Sequence, residues 1–179
     1  MTHTVVGLLR GINVGGRHRL PMAQLRALLE GLGLRQVRTY IQSGNLVFVT
    51  PAAPDAALAD AISRAIESAH GFAPHVLLVD EARWRTMVAT HPAPDADGKT
   101  VHAFFLDAVP SAPDHARLEA LRADSETLTL GESVVWLHAP EGIGRSKLAA
   151  GLEQALGVTT TARNAHTVQA LTALIDAGD

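Results

Sequence analysis

The sequence predicts an α+β protein in which one order of strands and helices occurs twice. The chain of 179 residues is 47% hydrophobic and 18% charged, so it can bury a sizeable core. Short apolar segments typical of strands are interspersed with segments whose leucines recur at helical spacing. A proline-rich stretch, residues 91–98, separates two series of such segments. We therefore expect two halves with the same architecture.

The first half should contain four strands and three helices. Pro21 suits the first turn of a helix, and Gly31 suits its end. Residues 43–45, Ser-Gly-Asn, are typical of a turn that joins two strands into a hairpin. The predicted elements are strand 4–9, helix 21–30, strands 37–41 and 46–50, helix 55–69, strand 76–79 and helix 80–90.

After residues 91–98 the same order begins again. The predicted elements are strand 101–106, helix 113–122, strands 127–130 and 134–138, helix 144–156, strand 158–160 and helix 164–175. The first six elements of each half have the split βαβ order of the ferredoxin-like fold. We therefore predict two tandem ferredoxin-like subdomains, each βαββαβ plus an extra helix. They should occupy residues 1–94 and 100–179, with residues 95–99 as a linker.

The composition excludes several classes of protein. Because the chain has no cysteine, it has no disulfide, thiolate nucleophile, Cys-ligated zinc or iron–sulfur cluster. No run of about 18 apolar residues occurs, and the start of the chain lacks a basic and then apolar leader. We expect a cytoplasmic protein that has no membrane partner, and we predict no cofactor. The oligomeric state stays open.

Positive charge is concentrated in the first part of the chain. Residues 1–50 carry six arginines and one acid, Glu30, whereas residues 51–142 carry six basic and fourteen acidic groups. Such a basic segment attracts a phosphate, a nucleotide or a short nucleic acid. The alternative is that the arginines only cover a solvated surface.

The predicted helix starts divide into two kinds. Acidic residues are favourable at a helix N-terminus because the helix dipole is positive there. Three starts carry them, at Asp55, at Asp80 with Glu81, and at Asp114. The other three carry basic residues instead: Arg17, His18 and Arg19; Arg145 and Lys147; and Arg163. A bound phosphate or carboxylate would turn these repulsions into attractions, unless the long side chains simply point into water.

Other sites receive less support from the sequence. Residues 11–16, Gly-Ile-Asn-Val-Gly-Gly, have neither the dinucleotide fingerprint nor the Lys-Ser/Thr of a P-loop. His91 could ligate a metal together with Asp95 and Asp97, but a proline-rich segment is too loose for a preorganised site, so we predict no metal.

Arg38 and Tyr40 should lie on one side of the second predicted strand, opposite Val37, Thr39 and Ile41. They could share an open sheet face, as in RNA-binding ferredoxin-like domains. However, the aromatic-rich RNA-recognition motif is missing, and two Trp, one Tyr and four Phe leave few stacking platforms.

Several motifs resemble those of the bacterial family catalogued as domain of unknown function 1697. They are Leu8–Gly16, Pro21-Met22-Ala23 with Leu25-Arg26, Arg38–Asn45 with Val47-Phe48, Gly144–Leu148, and Thr161-x-Arg163-Asn164 with Thr167-Val168. The resemblance spans nearly the whole chain. It implies two ferredoxin-like subdomains in one unit and no established activity, cofactor or substrate. The family usually has Trp where this chain has Ala165, so a ligand contact or a packing contact of that ring would differ here.

The family motifs coincide with the basic helix starts and the hairpin. The candidate ligand-binding residues are Arg10, Asn13, Arg17, Arg38, Tyr40, Ser43, Asn45, Arg145, Ser146, Lys147, Arg163 and Asn164. The arginines and Lys147 would supply positive charge, and the asparagines and Ser43 would orient the ligand.

We therefore predict a binding module for an anionic, phosphate-containing ligand, either a nucleotide or a nucleic acid. One alternative is an enzyme acting on a phosphorylated small molecule, with His18 and Tyr40 as the only candidate bases near the basic segment. Another is a structural or protein-interaction domain whose arginines pair across a dimer.

Overall fold

The computed structural model describes residues 1–178 and contains two four-stranded antiparallel sheets. The first sheet has the strand order β2-β3-β1-β4. Its strands are β1 (His3–Arg10), β2 (Arg35–Tyr40), β3 (Asn45–Thr50) and β4 (His75–Asp80). The helices of this half are α1 (Met22–Gly31), α2 (Ala56–His70) and α3 (Glu81–Ala89). The predicted order of elements is confirmed.

The second sheet has the corresponding order β6-β7-β5-β8. Its strands are β5 (Val101–Leu106), β6 (Thr127–Thr129), β7 (Val134–His138) and β8 (Thr160–Asn164). The helices of this half are α4 (His115–Leu121), α5 (Lys147–Leu156) and α6 (Ala165–Asp176). The second half therefore repeats the architecture of the first, as the sequence predicts.

The chain forms two compact units. The boundary between them lies between residues 86 and 87 and not at the predicted linker. The first unit comprises residues 1–86 and the chain from Ala170 onward, and the second comprises residues 87–169. The end of α6 belongs to the first unit because Trp84 Nε1 donates to Thr172 Oγ1 at 3.0 Å. Arg85 also pairs with Asp176 at 2.8 Å.

Residues 95–99, predicted as a linker, lie inside the second unit. The backbone N–H of Ala165 donates to the Gly98 carbonyl at 3.0 Å. His166 Nε2 also lies 3.3 Å from Asp97 Oδ1. These contacts join the segment to the start of α6, an association that its proline content does not indicate.

Each sheet packs two helices against one of its faces. In the first unit the helices contribute Leu25 and Leu29 from α1 and Ile62 and Ile66 from α2. In the second unit they contribute Leu118 from α4 and Leu148 and Leu152 from α5. The predicted leucine spacing of α1 is therefore the spacing that buries one side of that helix.

The three predicted acidic helix starts are confirmed as side-chain caps. Asp55 Oδ1 accepts a hydrogen bond from Leu58 N at 2.8 Å. Asp80 accepts one from Arg83 N at 2.9 Å. Asp114 accepts one from Arg117 N at 2.9 Å. Each carboxylate satisfies an N–H group that has no partner within its helix.

The hairpin of the first unit differs from its prediction at Ile41. Strand β2 ends at Tyr40, and Ile41 has a φ of +48° in the turn that follows. Its side chain is 52% exposed and does not join the strand face of Val37 and Thr39. At the other end β2 begins at Arg35, and its register shifts between Arg35 and Arg38.

Two predicted boundaries in the second unit are also wrong. Helix α5 begins at Lys147, because Ile143–Arg145 form a separate 3-10 turn and Ser146 caps the helix. Strand β8 covers Thr160–Asn164 and not residues 158–160, because its pairing with β5 continues to Asn164. Within the described part of the chain, no helix has the length and apolar character needed to cross a bilayer.

The contact between Trp84 and Thr172 should stabilise the first unit. Trp84 is fully buried, so removing the hydroxyl in Thr172→Val leaves its N–H without this acceptor. We expect the free energy of unfolding to fall by about 1–3 kcal/mol in urea denaturation. Thr86→Val is the control, because Thr86 is exposed and its hydroxyl bonds only to Ala82 O on the same helix. Equal losses in the two variants would contradict the assignment.

His102 should make the protein less stable in acid. Its Nδ1 is buried and has no hydrogen-bond partner among residues 1–178, and burial lowers its pKa below the ordinary value of 6.5. Since the unfolded chain then binds the proton more readily, this contribution to stability is complete above pH 6.5 and is lost as the pH falls below it.

The melting temperature of His102→Leu should therefore decline less than that of the parent between about pH 7.5 and about pH 5. The exposed His115→Leu is the matched control. Parallel pH profiles for the parent and His102→Leu would show that another group is responsible.

Candidate functional site

The twelve candidate residues fall into two groups, one in each compact unit. The first unit contains Arg10, Asn13, Arg17, Arg38, Tyr40, Ser43 and Asn45. The second unit contains Arg145, Ser146, Lys147, Arg163 and Asn164.

In the first group, four side chains share one face of the sheet. Tyr40 on β2 lies opposite Asn45 on β3, and Asn45 lies opposite Leu8 on β1. Residues paired directly across a sheet point to the same face, and so do residues two apart on one strand. Arg10 is two residues beyond Leu8, and Arg38 is two residues before Tyr40. Arg10, Arg38, Tyr40 and Asn45 therefore lie on a single face, opposite the one that carries α1 and α2.

The predicted alternation of β2 is confirmed up to Tyr40. Val37 belongs to the core beneath the helices, and Thr39 Oγ1 accepts a hydrogen bond from Arg26 of α1 at 2.8 Å. Standard strand spacings place the Cα atoms of Arg10 and Tyr40 roughly 12 Å apart. Two side chains at that distance can contact the same small ligand from opposite sides.

The centre of this face is buried, so it is not an open RNA-binding sheet. Val6, Leu8 and Val47 are all 0% exposed. At one end of the sheet, Arg10 pairs in register with His75, and both are exposed. Arg38 and Tyr40 therefore do not share an open sheet face, a possibility that the missing RNA-recognition motif already disfavours.

Arg38 occupies a half-buried position on the same face. Its Nε is buried and, among the described residues, has no hydrogen-bond partner. Its guanidinium lies so close to Gly178 that a side chain there would collide with it. Arg38 is therefore less accessible to a ligand than Arg10.

The residues from Gly11 to Leu20, which we call the arginine loop, are held by Asn13. Asn13 Nδ2 donates to Leu20 O at 3.0 Å and to Gln42 O at 2.7 Å, and its Oδ1 accepts from Leu20 N at 2.8 Å. Its φ of +53° is a conformation that asparagine tolerates better than most residues. Asn13 thus closes the loop and fixes it to the hairpin turn.

His18 provides a second anchor for the arginine loop. Its Nδ1 lies 3.0 Å from the Gly11 carbonyl, which can only accept, so Nδ1 carries the proton of this hydrogen bond. The ring stacks on Phe72, with 4.7 Å between the centroids and an interplanar angle of 19°. His18 is therefore engaged in holding the loop.

The anchored loop presents two exposed arginines. Arg17 N donates to Val14 O at 3.0 Å in a tight turn, and Gly15 and Gly16 between them have positive φ. Arg17 and Arg19 are exposed, and no carboxylate of residues 1–178 pairs with either side chain. Their positive charge is thus not neutralised by an ion pair within this part of the chain.

Ser43 and Asn45 shape the hairpin turn. Asn45 is 0% exposed, and its Nδ2 donates to Tyr40 O at 3.1 Å and to Ser43 Oγ at 2.8 Å. Gly44 has a φ of +77°, and a side chain there would collide with Leu9. The structure therefore gives Asn13, Ser43 and Asn45 a role in shaping the loop and turn, beside the ligand-orienting role that we predict.

In the second group, Ser146 and Asn164 cap helices. Ser146 Oγ accepts from Ala149 N at 2.9 Å, and Asn164 Oδ1 accepts from Thr167 N at 2.9 Å. The starts of α5 and α6 therefore have caps of their own, whereas α1 has no side-chain cap. Arg145 and Lys147, on either side of Ser146, are exposed and have no carboxylate partner among residues 1–178.

Arg163 lies on β8 in a half-buried position. It faces Ala103 across the sheet and donates from Nη1 to Ala162 O at 2.8 Å. Desolvation by burial lowers its pKa to about 10, so the guanidinium stays charged at neutral pH. Ala165 is 1% exposed and therefore faces the protein interior.

The residues that sequence reasoning did not select are His75, Phe72, Val14 and Ile41. Strand register places His75 beside Arg10, and tertiary packing places Phe72 under His18. The only local signal was the apolar character of Val14 and Ile41 in turn segments. No cluster of three or more potential metal ligands occurs among residues 1–178.

Comparison with solved structures supports the fold. The chain is similar to the conserved bacterial protein SP0830 from Streptococcus pneumoniae, with a TM-score of 0.77 and 24% sequence identity. The match covers 98% of this chain and 99% of the other. At this identity, the likeness extends to the fold alone.

Comparison of sequences identifies the family. No curated protein matches the sequence. The family model described as protein of unknown function (DUF1697) matches residues 1–136, which is most of the chain. The chain therefore belongs to the DUF1697 family.

Proposed function

We propose that this protein binds an anionic, phosphate-containing ligand, a nucleotide or a nucleic acid, at the end of the first sheet. The observation that carries the proposal is the shared face of Arg10, Arg38 and Tyr40. That face ends where the arginine loop is anchored to the hairpin turn. We call this region the basic end of the first unit.

The electrostatics of the basic end support an anionic ligand. Arg10, Arg17 and Arg19 are exposed there, and Glu30 is the only acid in the first fifty residues. A guanidinium can donate two parallel hydrogen bonds to a phosphate group, which makes arginine well suited to binding it. Because Asn13 and His18 hold the loop in advance, little conformational entropy is lost when the ligand binds.

The second unit offers a smaller group of cations. Arg145 and Lys147 are exposed beside the start of α5. The cap provided by Ser146 satisfies only one of the helix N–H groups, so a phosphate there would still be stabilised by the dipole and both cations. We propose this as a second phosphate contact of the protein.

The enzyme alternative receives less support from the geometry. The Nδ1 of His18 is occupied by the Gly11 carbonyl, and its ring is stacked on Phe72. A ring held in this way is better suited to positioning the loop than to moving onto a substrate. An interaction domain and a cytoplasmic location both stay predictions.

We also propose that each unit is a ferredoxin-like subdomain. Each unit has the order strand, helix, two strands, helix, strand, and the sheets have the orders β2-β3-β1-β4 and β6-β7-β5-β8. Both properties are those of a ferredoxin-like subdomain.

Loss of exposed positive charge at the basic end should weaken anion binding. We expect ATP or an oligonucleotide to raise the melting temperature, more at about 50 mM than at about 200 mM salt. The double variant Arg10→Ala, Arg17→Ala should bind at least about tenfold more weakly and show a shallower salt dependence.

Arg64→Ala is the matched control, because Arg64 is 74% exposed on α2. Stabilisation by no anion would contradict the proposal, and so would an unchanged affinity of the double variant.

Asn13 should be required for the folded conformation of the arginine loop at the basic end. Asn13→Ala removes three side-chain hydrogen bonds and places alanine at a φ of +53°. We expect the free energy of unfolding to fall by about 2–4 kcal/mol, together with faster proteolysis in the arginine loop.

Asn13→Gly separates the loss of the hydrogen bonds from the backbone strain. Glycine lacks the hydrogen bonds, as alanine does, but it tolerates the positive φ. It should lose about 1 kcal/mol less than the alanine variant. An alanine variant as stable as the parent would show that the loop is held by other contacts.

A further inference from the structure

We infer that the ligand of the basic end is single-stranded nucleic acid and that Val14 and Ile41 form the apolar surface that its bases contact. The inference rests on the proposed function and adds a ligand class and two contact residues to it. Its starting point is a pair of exposed β-branched residues in turns, where turn chemistry favours Gly, Asn or Asp.

Ile41 is in an unfavourable position for the folded chain. Its φ of +48° lies in the left-handed region, which costs a β-branched residue of order 1–3 kcal/mol. Its side chain is 52% exposed, so burial does not compensate for this cost. Glycine or asparagine would form the same turn without the strain. The isoleucine is therefore better explained by a contact that the isolated chain does not make.

Val14 has a similar setting at the tip of the arginine loop. It is 66% exposed, and it lies between Asn13 and Gly15, both of which have positive φ. Asn13 Nδ2 donates to Gln42 O at 2.7 Å, so the residues next to Val14 and Ile41 are joined directly. The loop and the turn that carry the two exposed side chains are therefore adjacent, and we call Val14 and Ile41 together the apolar tip.

The surroundings of the apolar tip indicate what it contacts. Tyr40 directly precedes Ile41, and Arg17 follows Val14 within one tight turn. Single-stranded nucleic acid combines a charged backbone with flat, weakly polar base faces, and proteins bind it with arginines next to aromatic and apolar side chains. In a duplex the base faces are stacked on one another and are not accessible.

Other anions do not explain the apolar tip. Inorganic phosphate or polyphosphate would gain from the arginines but would lose from proximity to exposed valine and isoleucine. An anionic membrane would use both properties, but stable membrane association needs a much larger apolar surface than two side chains provide. The charge and the apolar tip together therefore favour bases joined by phosphates.

The test compares two polyanions, one that carries bases on a sugar–phosphate backbone and one that consists of phosphates alone. Binding of an oligothymidylate of about fifteen nucleotides and of inorganic polyphosphate with a similar number of phosphates is measured by titration at one salt concentration. We expect the oligothymidylate to bind more tightly. Ile41→Asn and Val14→Asn should each weaken oligothymidylate binding about tenfold and leave polyphosphate binding unchanged.

Two controls separate contact from folding. Val109→Asn replaces a valine that is 60% exposed in the second unit and should change neither affinity. Ile41→Asn should leave the melting temperature unchanged or raise it, because asparagine relieves the backbone strain.

Equal binding of the two polyanions would overturn the inference and leave the anion site standing, as would unchanged oligothymidylate binding by both tip variants. Failure of oligothymidylate alone to bind would overturn the inference, and failure of both polyanions to bind would overturn the proposed function as well. Binding to phosphatidylserine vesicles without binding to oligothymidylate would also overturn the inference.

Discussion

The register of β1 against its two neighbours decides where the polar groups of the first unit lie. Leu8 pairs with Asn45 on one side and with Leu77 on the other. Since side chains alternate along a strand, a slip of one residue would move Arg10 to the helix-covered face. It would also remove Leu9, which is fully buried, from the core beneath the helices. Burial of the apolar residues therefore determines the position of the charged ones.

The arginine loop depends on that register through the hairpin turn. The turn carbonyl of Gly44 accepts from Leu9 N at 2.8 Å, and the carbonyl of Gln42 accepts from Asn13. One asparagine thereby converts a glycine-rich segment, which has high entropy when free, into a defined support for arginine side chains. Preorganised cations bind an anion more tightly than mobile ones, because less freedom is lost on binding.

Several polar residues that the sequence selects as ligand-binding candidates form hydrogen bonds that stabilise the fold. Ser146 and Asn164 satisfy helix N–H groups, and Asn45 satisfies turn groups while fully buried. A sequence pattern does not separate a polar side chain that binds a ligand from one that binds the backbone, because both need the same donors and acceptors. Exposure does separate them: Arg10, Arg17, Arg145 and Lys147 are exposed, whereas Asn45 and Ser146 are buried.

Local patterns in the amino-acid sequence are sufficient to predict the order of elements, the alternation within β2 and the positive charge of the first fifty residues. They also predict the acidic helix caps at Asp55, Asp80 and Asp114. These properties depend on residues a few positions apart, so local patterns reveal them. Three other features are visible in the folded chain alone: Asn13 bonds to Gln42, the face of the first sheet opposite α1 and α2 is buried at its centre, and α6 ends in the first unit. Those contacts join residues distant in sequence, and they are selected by packing over the whole unit, which no local pattern records.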